Sequence, residues 1–76
     1  IRNFSFSPAT LNIAAGDIVV FTNEDRAPHT ATADNGSFDT GNLRRGDAAS
    51  ITFASAGSVS FACRFHPNMK GTISVS

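Results

Sequence analysis

The stretch FACRFHPNMKG, residues 61–71, contains the only cysteine and the only methionine of the chain, with one of its two histidines between them. Cys63, His66 and Met69 follow one another at three-residue steps. SVSFAC (58–63) leads into the loop with Val59, Phe61 and Cys63 on one face, and GTISV (71–75) follows it with Ile73 and Val75 alternating. Such alternation is typical of β-strands. The sequence therefore predicts a strand, a short loop carrying three metal-binding side chains, and a second strand.

The remaining sequence shows the same alternation, interrupted by turn residues about every eight to twelve positions, as in a β-sandwich or barrel. Further strands are predicted in RNFSF (2–6), TLNIA (10–14), DIVVFTN (17–23), HTATA (29–33) and AASITF (48–53). The chain is thus expected to form one small antiparallel sandwich of about seven strands, spanning residues 1–76 and without a helix. Few residues favour helices, while Val, Ile, Thr and Phe are plentiful.

Three details of this arrangement follow from the pattern. RNFSF would place Arg2, Phe4 and Phe6 on one face of its strand. DIVVFTN is apolar almost throughout, which predicts a central strand. Residues 34–46 are rich in turn residues and are predicted to form a loop, with Phe38 and Leu43 anchoring it to the core.

Composition limits the classes of function. The formal net charge is zero, which argues against nucleic acid as the main partner. No apolar run approaches the roughly 20 residues that span a bilayer. Since the sequence has neither a signal peptide nor an initiator methionine, we expect a processed protein or an excised domain. A domain of 76 residues often needs reinforcement, and one cysteine cannot form an internal disulfide. A bound metal is the other common reinforcement.

Cysteine thiolate, imidazole and thioether together suit a copper ion that cycles between Cu(I) and Cu(II). A second imidazole is available from His29, which follows Pro28 and opens the predicted strand HTATA. Two histidines, a cysteine and a weak axial methionine are the ligands of a blue-copper site. Taken singly, Cys63 could be a small buried apolar residue and Met69 a gap filler. Either histidine could be a loop residue.

The segments PHTATA, GSFDTGNLRRGD and FACRFHPNMKGTISV resemble the cupredoxins, the small blue-copper proteins of the plastocyanin, pseudoazurin and amicyanin group. The short Cys-x-x-His-x-x-Met loop is most similar to that of amicyanin. The resemblance implies a Greek-key β-sandwich with one type 1 copper ion. His29, Cys63 and His66 would be its equatorial ligands and Met69 its axial ligand.

The resemblance also implies an electron-transfer protein that is not an enzyme, with a periplasmic or other extracytoplasmic location. The resemblance implies that His66 is the partly exposed ligand, through which electrons would enter and leave. The family often has Asn where Thr30 follows His29, and that Asn joins the two ligand-bearing segments. This link is therefore expected to be altered here or made by the threonine hydroxyl. Phe61 replaces a frequent Tyr, and Pro67 stiffens the ligand loop.

The expected function is electron shuttling by a monomer between protein partners that dock near His66. Arg26, Arg64 and Phe65 are candidate docking residues, although the arginines could equally be solvated surface charges. One alternative is copper storage or delivery, and another is an excised electron-inlet domain of a larger copper oxidoreductase. A cysteine hydrolase is disfavoured, because no Asn or Asp is clearly placed to orient a histidine and Cys63 lies on a buried strand face.

Overall fold

The computed structural model describes residues 1–76 and contains six β-strands and no helix. The strands are β1 (Thr10–Ile13), β2 (Asp17–Thr22), β3 (Thr32–Ala33), β4 (Ala48–Phe53), β5 (Gly57–Ala62) and β6 (Lys70–Val75). The predicted all-β sandwich is confirmed, with six strands where about seven were expected. There is accordingly no helix with the length and apolar character needed to cross a membrane.

The strands form two sheets. One has four strands in the order β1-β6-β5-β3, and the other pairs β2 with β4. All pairs are antiparallel except β1 and β6, which run parallel. Because β5 and β6 are neighbours with Ala62 opposite Lys70, the loop between them must turn back sharply at one end of the sandwich.

Phenylalanine side chains fill much of the space between the sheets. The Phe61 ring lies 4.7 Å from Phe6, 5.5 Å from Phe21 and 5.9 Å from Phe38, measured between ring centroids. Phe38 and Leu43 are both buried, so the predicted anchoring of the long loop is confirmed. The core comprises Phe6, Phe21, Ala31, Ala33, Phe38, Leu43, Phe53, Phe61, Cys63, Met69, Ile73 and Val75.

The prediction of a strand at residues 2–6 was wrong. Arg2 and Ser5 exchange two backbone hydrogen bonds of 3.0 Å across a two-residue turn at Asn3 and Phe4. Both turn residues have positive φ, +53° and +56°. Phe4 therefore leaves the face it was expected to share with Phe6 and is 52% exposed.

Two other strand predictions need correction. DIVVFTN was expected to be central, but β2 belongs to the two-stranded sheet, where Ile18 and Val20 are exposed at 63% and 58%. No other part of residues 1–76 covers that face of β2. The apolar sequence of this strand therefore did not show that it is central. In HTATA only Thr32–Ala33 is a strand. His29 instead forms an isolated antiparallel bridge with Leu43.

Candidate metal centre

The ligand loop, residues 63–69, closes on itself where β5 ends and β6 begins. The Cys63 amide donates to the Met69 carbonyl at 3.1 Å, and the Met69 amide donates to the His66 carbonyl at 2.9 Å. Both bonds fix the loop backbone between its predicted ligands. Cys63 and Met69 therefore lie side by side at the base of the loop, and both are buried.

His29, Cys63 and His66 come together at this end of the sandwich. Cys63 Sγ is 3.7 Å from His29 Nδ1 and 3.6 Å from His66 Nδ1, and the three ligand atoms all lie within 4.8 Å of one another. His29 and Cys63 are buried, whereas His66 is only partly so. Met69 is 3% exposed, and its place as the axial ligand stays a prediction.

The imidazole of His29 is oriented by Asp25, which the sequence analysis did not identify. Asp25 Oδ2 lies 2.9 Å from His29 Nε2. Since a carboxylate only accepts hydrogen bonds, Nε2 carries the hydrogen, and in the neutral imidazole the lone pair is on Nδ1, the nitrogen that faces Cys63. The expectation that no Asp or Asn orients a histidine was therefore wrong. The hydrolase hypothesis gains little from it, because Cys63 is 1% exposed and closed to a substrate.

Asp25 is itself held by the N-terminal turn. The amide of Phe4 donates to Oδ2 at 2.9 Å and that of Asn3 to Oδ1 at 2.8 Å. These bonds, that of Phe4 first, lower the pKa of Asp25 against the opposing effect of burial, and the contact with His29 adds to the lowering. Asp25 is thus a carboxylate at neutral pH, with both oxygens engaged.

The backbone before His29 is fixed by Asn23, a fully buried polar residue. Its Nδ2 donates to the carbonyls of Ala27 at 2.9 Å and Leu43 at 2.8 Å, and its Oδ1 accepts from the Asp25 amide at 2.8 Å. His29 and Leu43 exchange two further backbone bonds of 3.0 and 2.7 Å. An Asn two residues before an Asp in a loop is a turn signal that could have revealed this support.

Thr30 connects the two ligand-bearing segments. Its amide donates to Cys63 Sγ at 3.4 Å. Its Oγ1 accepts from the Arg64 amide at 2.9 Å and lies 3.0 Å from Thr32 Oγ1. The hydroxyl thus occupies the position of the link that the family resemblance assigns to an asparagine.

The profile of the cupredoxin-like domain family matches residues 1–75. The chain belongs to the cupredoxin family. Among solved structures, a reduced amicyanin variant is similar to this cupredoxin at 26% identity and a TM-score of 0.94, covering 100% of this chain and 77% of that one. A purple cupredoxin from Nitrosopumilus maritimus is 34% identical with a TM-score of 0.86, covering 92% of this chain and 80% of that one.

A third similar structure is a copper-containing nitrite reductase from Thermus scotoductus. It is 34% identical, with a TM-score of 0.88, and the match covers 95% of this cupredoxin but 20% of the reductase. No curated protein sequence matches the chain significantly.

Cupredoxins bind one copper ion, and His29, Cys63 and His66 lie together as a candidate site for it. The two sulfur–nitrogen distances fit a shared metal, because two ligand atoms that each lie about 2.0–2.3 Å from one metal ion must be within about 4.6 Å of one another. The two sulfur–nitrogen distances of 3.7 and 3.6 Å meet this condition.

The remaining predicted residues of this cupredoxin differ in burial and in charge pairing. Phe61 is buried in the core, and Pro28 and Pro67 are exposed. Phe65 is 51% exposed beside His66. Arg64 pairs with Asp39 at 2.7 Å, so its charge is partly neutralised, whereas Arg26 is exposed and forms no ion pair. Phe4, expected from sequence to share a strand face with Arg2 and Phe6, contacts both histidine rings instead.

Proposed function

We propose that this cupredoxin is an electron carrier. It would hold one copper ion between His29, Cys63 and His66, with Met69 as a weak axial ligand. The observation that carries the proposal is the position of both imidazole Nδ1 atoms, 3.6 and 3.7 Å from the only thiol of the chain. Bound copper would supply the one-electron couple Cu(II)/Cu(I), for which a mixed thiolate and imidazole site is suited.

The surrounding residues hold the ligands in place rather than performing bond chemistry. Asp25 fixes the tautomer and the orientation of His29, as carboxylates commonly do for metal-binding imidazoles. The Thr30 amide donates to Cys63 Sγ and thereby stabilises negative charge on the sulfur. Such hydrogen bonds tune the potential of copper–thiolate sites. Residues held this firmly would need little rearrangement between the two oxidation states of a bound copper ion.

His66 is the proposed route for electrons, because it is the one residue of the cluster that is not buried. Phe65 lies next to it and is half exposed, so a protein partner that docks over the loop would contact both. Arg26 would contribute positive charge to that surface and favour an acidic partner. An extracytoplasmic location is proposed from the family.

The test is addition of Cu(II) to the purified protein, followed by visible spectroscopy. We expect an intense thiolate-to-copper charge-transfer band that disappears in Cys63→Ser. Retention of the band in that variant would refute the assignment. Voltammetry then separates carrier from delivery protein: fast, reversible cycling at one potential supports electron transfer, whereas a slow or irreversible response supports copper storage or delivery.

The similarity to part of a nitrite reductase favours a second candidate, an electron-inlet domain of a larger copper enzyme. The copper site and its one-electron chemistry would be the same, but the partner would be another domain of one polypeptide. The coding sequence on both sides of residues 1–76 decides this. If the reading frame continued into a second copper-binding domain, the inlet-domain hypothesis would be favoured over the free electron carrier.

A further inference from the structure

Three aromatic rings meet at the exposed side of the metal centre. The Phe4 centroid lies 5.1 Å from that of His29 and 4.9 Å from that of His66, with interplanar angles of 88° and 90°. The two imidazole centroids are 5.0 Å apart. Phe4 thus stands perpendicular to both rings at almost equal distances. Since Phe4 is 52% exposed, one part of its ring covers the histidines and the other faces solvent.

The backbone that brings Phe4 to this position is strained. Positive φ at both central residues defines a type I′ turn, which favours Asn followed by Gly. Here Asn3 is followed by Phe4, with φ of +56°. A bulky side chain in the left-handed region is unusual and costs free energy. Such strain persists only where surrounding contacts enforce it, and it clusters at functional sites.

Asp25 supplies the enforcing contacts. Its two oxygens accept the amides of Asn3 and Phe4, and Oδ2 also contacts His29 Nε2. One carboxylate therefore fixes a histidine and the turn that covers it. The Glu24 amide donates to the Ile1 carbonyl at 2.9 Å and ties the same segments together on the other side of the turn.

We propose that Phe4 is a cover for the copper site, held closed by Asp25, that keeps water and chelating molecules away from His29 and His66. The proposal rests on the proposed function only for the identity of the metal. Without the ring, the partly exposed imidazole would be open to solvent on the side that Phe4 now occupies. Phe4 and Asp25 are thus positioning residues that slow copper loss.

Phe4→Gly removes the ring but should keep the turn. Glycine adopts positive φ readily, and it retains the backbone amide that donates a hydrogen bond to Asp25. We expect the reduced, copper-loaded variant to lose copper to an excess of a Cu(I) chelator about tenfold faster or more, the range typical of residues that support metal ligands. Ile18→Ala, which removes an exposed apolar side chain from the two-stranded sheet, should match the wild type. A Phe4→Gly rate within twofold of the wild-type rate would overturn the cover.

A measurement on the metal-free protein keeps this test independent of copper binding. The Phe4 ring should shift the His66 ring-proton NMR signals relative to those of Phe4→Leu, in which no aromatic ring faces the imidazole. Equal shifts in both proteins would overturn the cover. Absence of copper binding with the shift intact would instead contradict the proposed function.

Asp25→Asn tests the holding contact. An amide cannot accept all three hydrogen bonds, since one of its two polar atoms is a donor. We expect faster hydrogen exchange at the amides of residues 3 and 4, and His66 signals that move toward those of Phe4→Leu. Unchanged exchange and unchanged His66 signals in Asp25→Asn would show that Asp25 does not hold the cover.

Discussion

Replacing Thr30 with valine tests the link between the two ligand-bearing segments. Valine has nearly the shape of threonine, so the side chain, which is 2% exposed, should still fit. The change removes the hydroxyl that accepts the Arg64 amide at 2.9 Å. The Thr30 amide, which donates to Cys63 Sγ, is retained. The perturbation is therefore confined to one polar atom.

The cost follows from the partners that the hydroxyl leaves behind. Thr32 also contacts Oγ1 of Thr30, but it keeps Asp39 Oδ1 as an acceptor at 3.0 Å. Only the Arg64 amide loses its partner. An unsatisfied buried donor costs about 1–3 kcal/mol, and because this amide is only partly buried, the lower part of that range applies. We expect a loss of about 1–2 kcal/mol, or a fall in melting temperature of about 4–8 °C for each kcal/mol.

Urea unfolding of the metal-free protein measures this loss, and hydrogen exchange locates it at the Arg64 amide. Thr30→Ser is the matched control, because serine keeps the acceptor and removes only a methyl group. It should preserve protection of the Arg64 amide even if the urea midpoint falls. If Thr30→Val retained both the wild-type midpoint and the wild-type protection at Arg64, the hydroxyl link would contribute nothing and the reasoning would fail.

Two further predictions concern packing and pH. A Cβ at Gly71 would lie 2.9 Å from Phe61 Cε2 and 3.0 Å from the Ala9 carbonyl oxygen, so Gly71→Ala should cost about 1–3 kcal/mol in urea unfolding. The same change should cost less when it is made in Phe61→Leu, and an equal cost in both backgrounds would exclude the ring clash. The pKa of Asp39 is lowered by the Gly41 amide first, then by Thr32 and Arg64, against the effect of burial. Its carboxylate therefore stabilises the fold above the unfolded pKa of about 3.9, and this contribution is lost as the pH falls through the lower folded value. Melting temperatures of the metal-free protein below about pH 4 should fall more steeply with acid than those of Asp39→Asn, and equal slopes would contradict this.

The loop that carries Cys63, His66 and Met69 between two strands could be predicted from sequence because its features are local. Cys63, His66 and Met69 lie within seven residues, and strand alternation on both sides places them at the end of a sheet. Phe38 and Leu43 were predictable for a related reason. An isolated large apolar residue in a polar, turn-rich segment has few places to go except the core.

The residues that sequence analysis missed act through long-range contacts. Asp25 binds backbone amides 21 and 22 residues away, and no spacing rule relates those positions. Phe4 was misplaced because Arg2, Phe4 and Phe6 alternate like a strand, while the positive φ that turns Phe4 toward the histidines occurs without a glycine to signal it. The exposure of Ile18 and Val20 also depends on the order of strands in the sheets. In sequence, an apolar strand of a two-stranded sheet cannot be distinguished from a central strand of a larger sheet.

The position of the metal centre bears on how so small a chain stays folded. His29 and the ligand loop meet at an end of the sandwich where regular strand pairing has stopped, and β3 contributes only two residues there. A metal bound to both segments joins positions 34 residues apart in sequence, as a disulfide would if a second cysteine existed. Ligand binding to the folded state alone adds about 2.7 kcal/mol at a concentration one hundred times the dissociation constant. Copper would therefore stabilise an end of the fold where β3 has only two paired residues, and ligand geometry and global stability would then depend on the same few contacts.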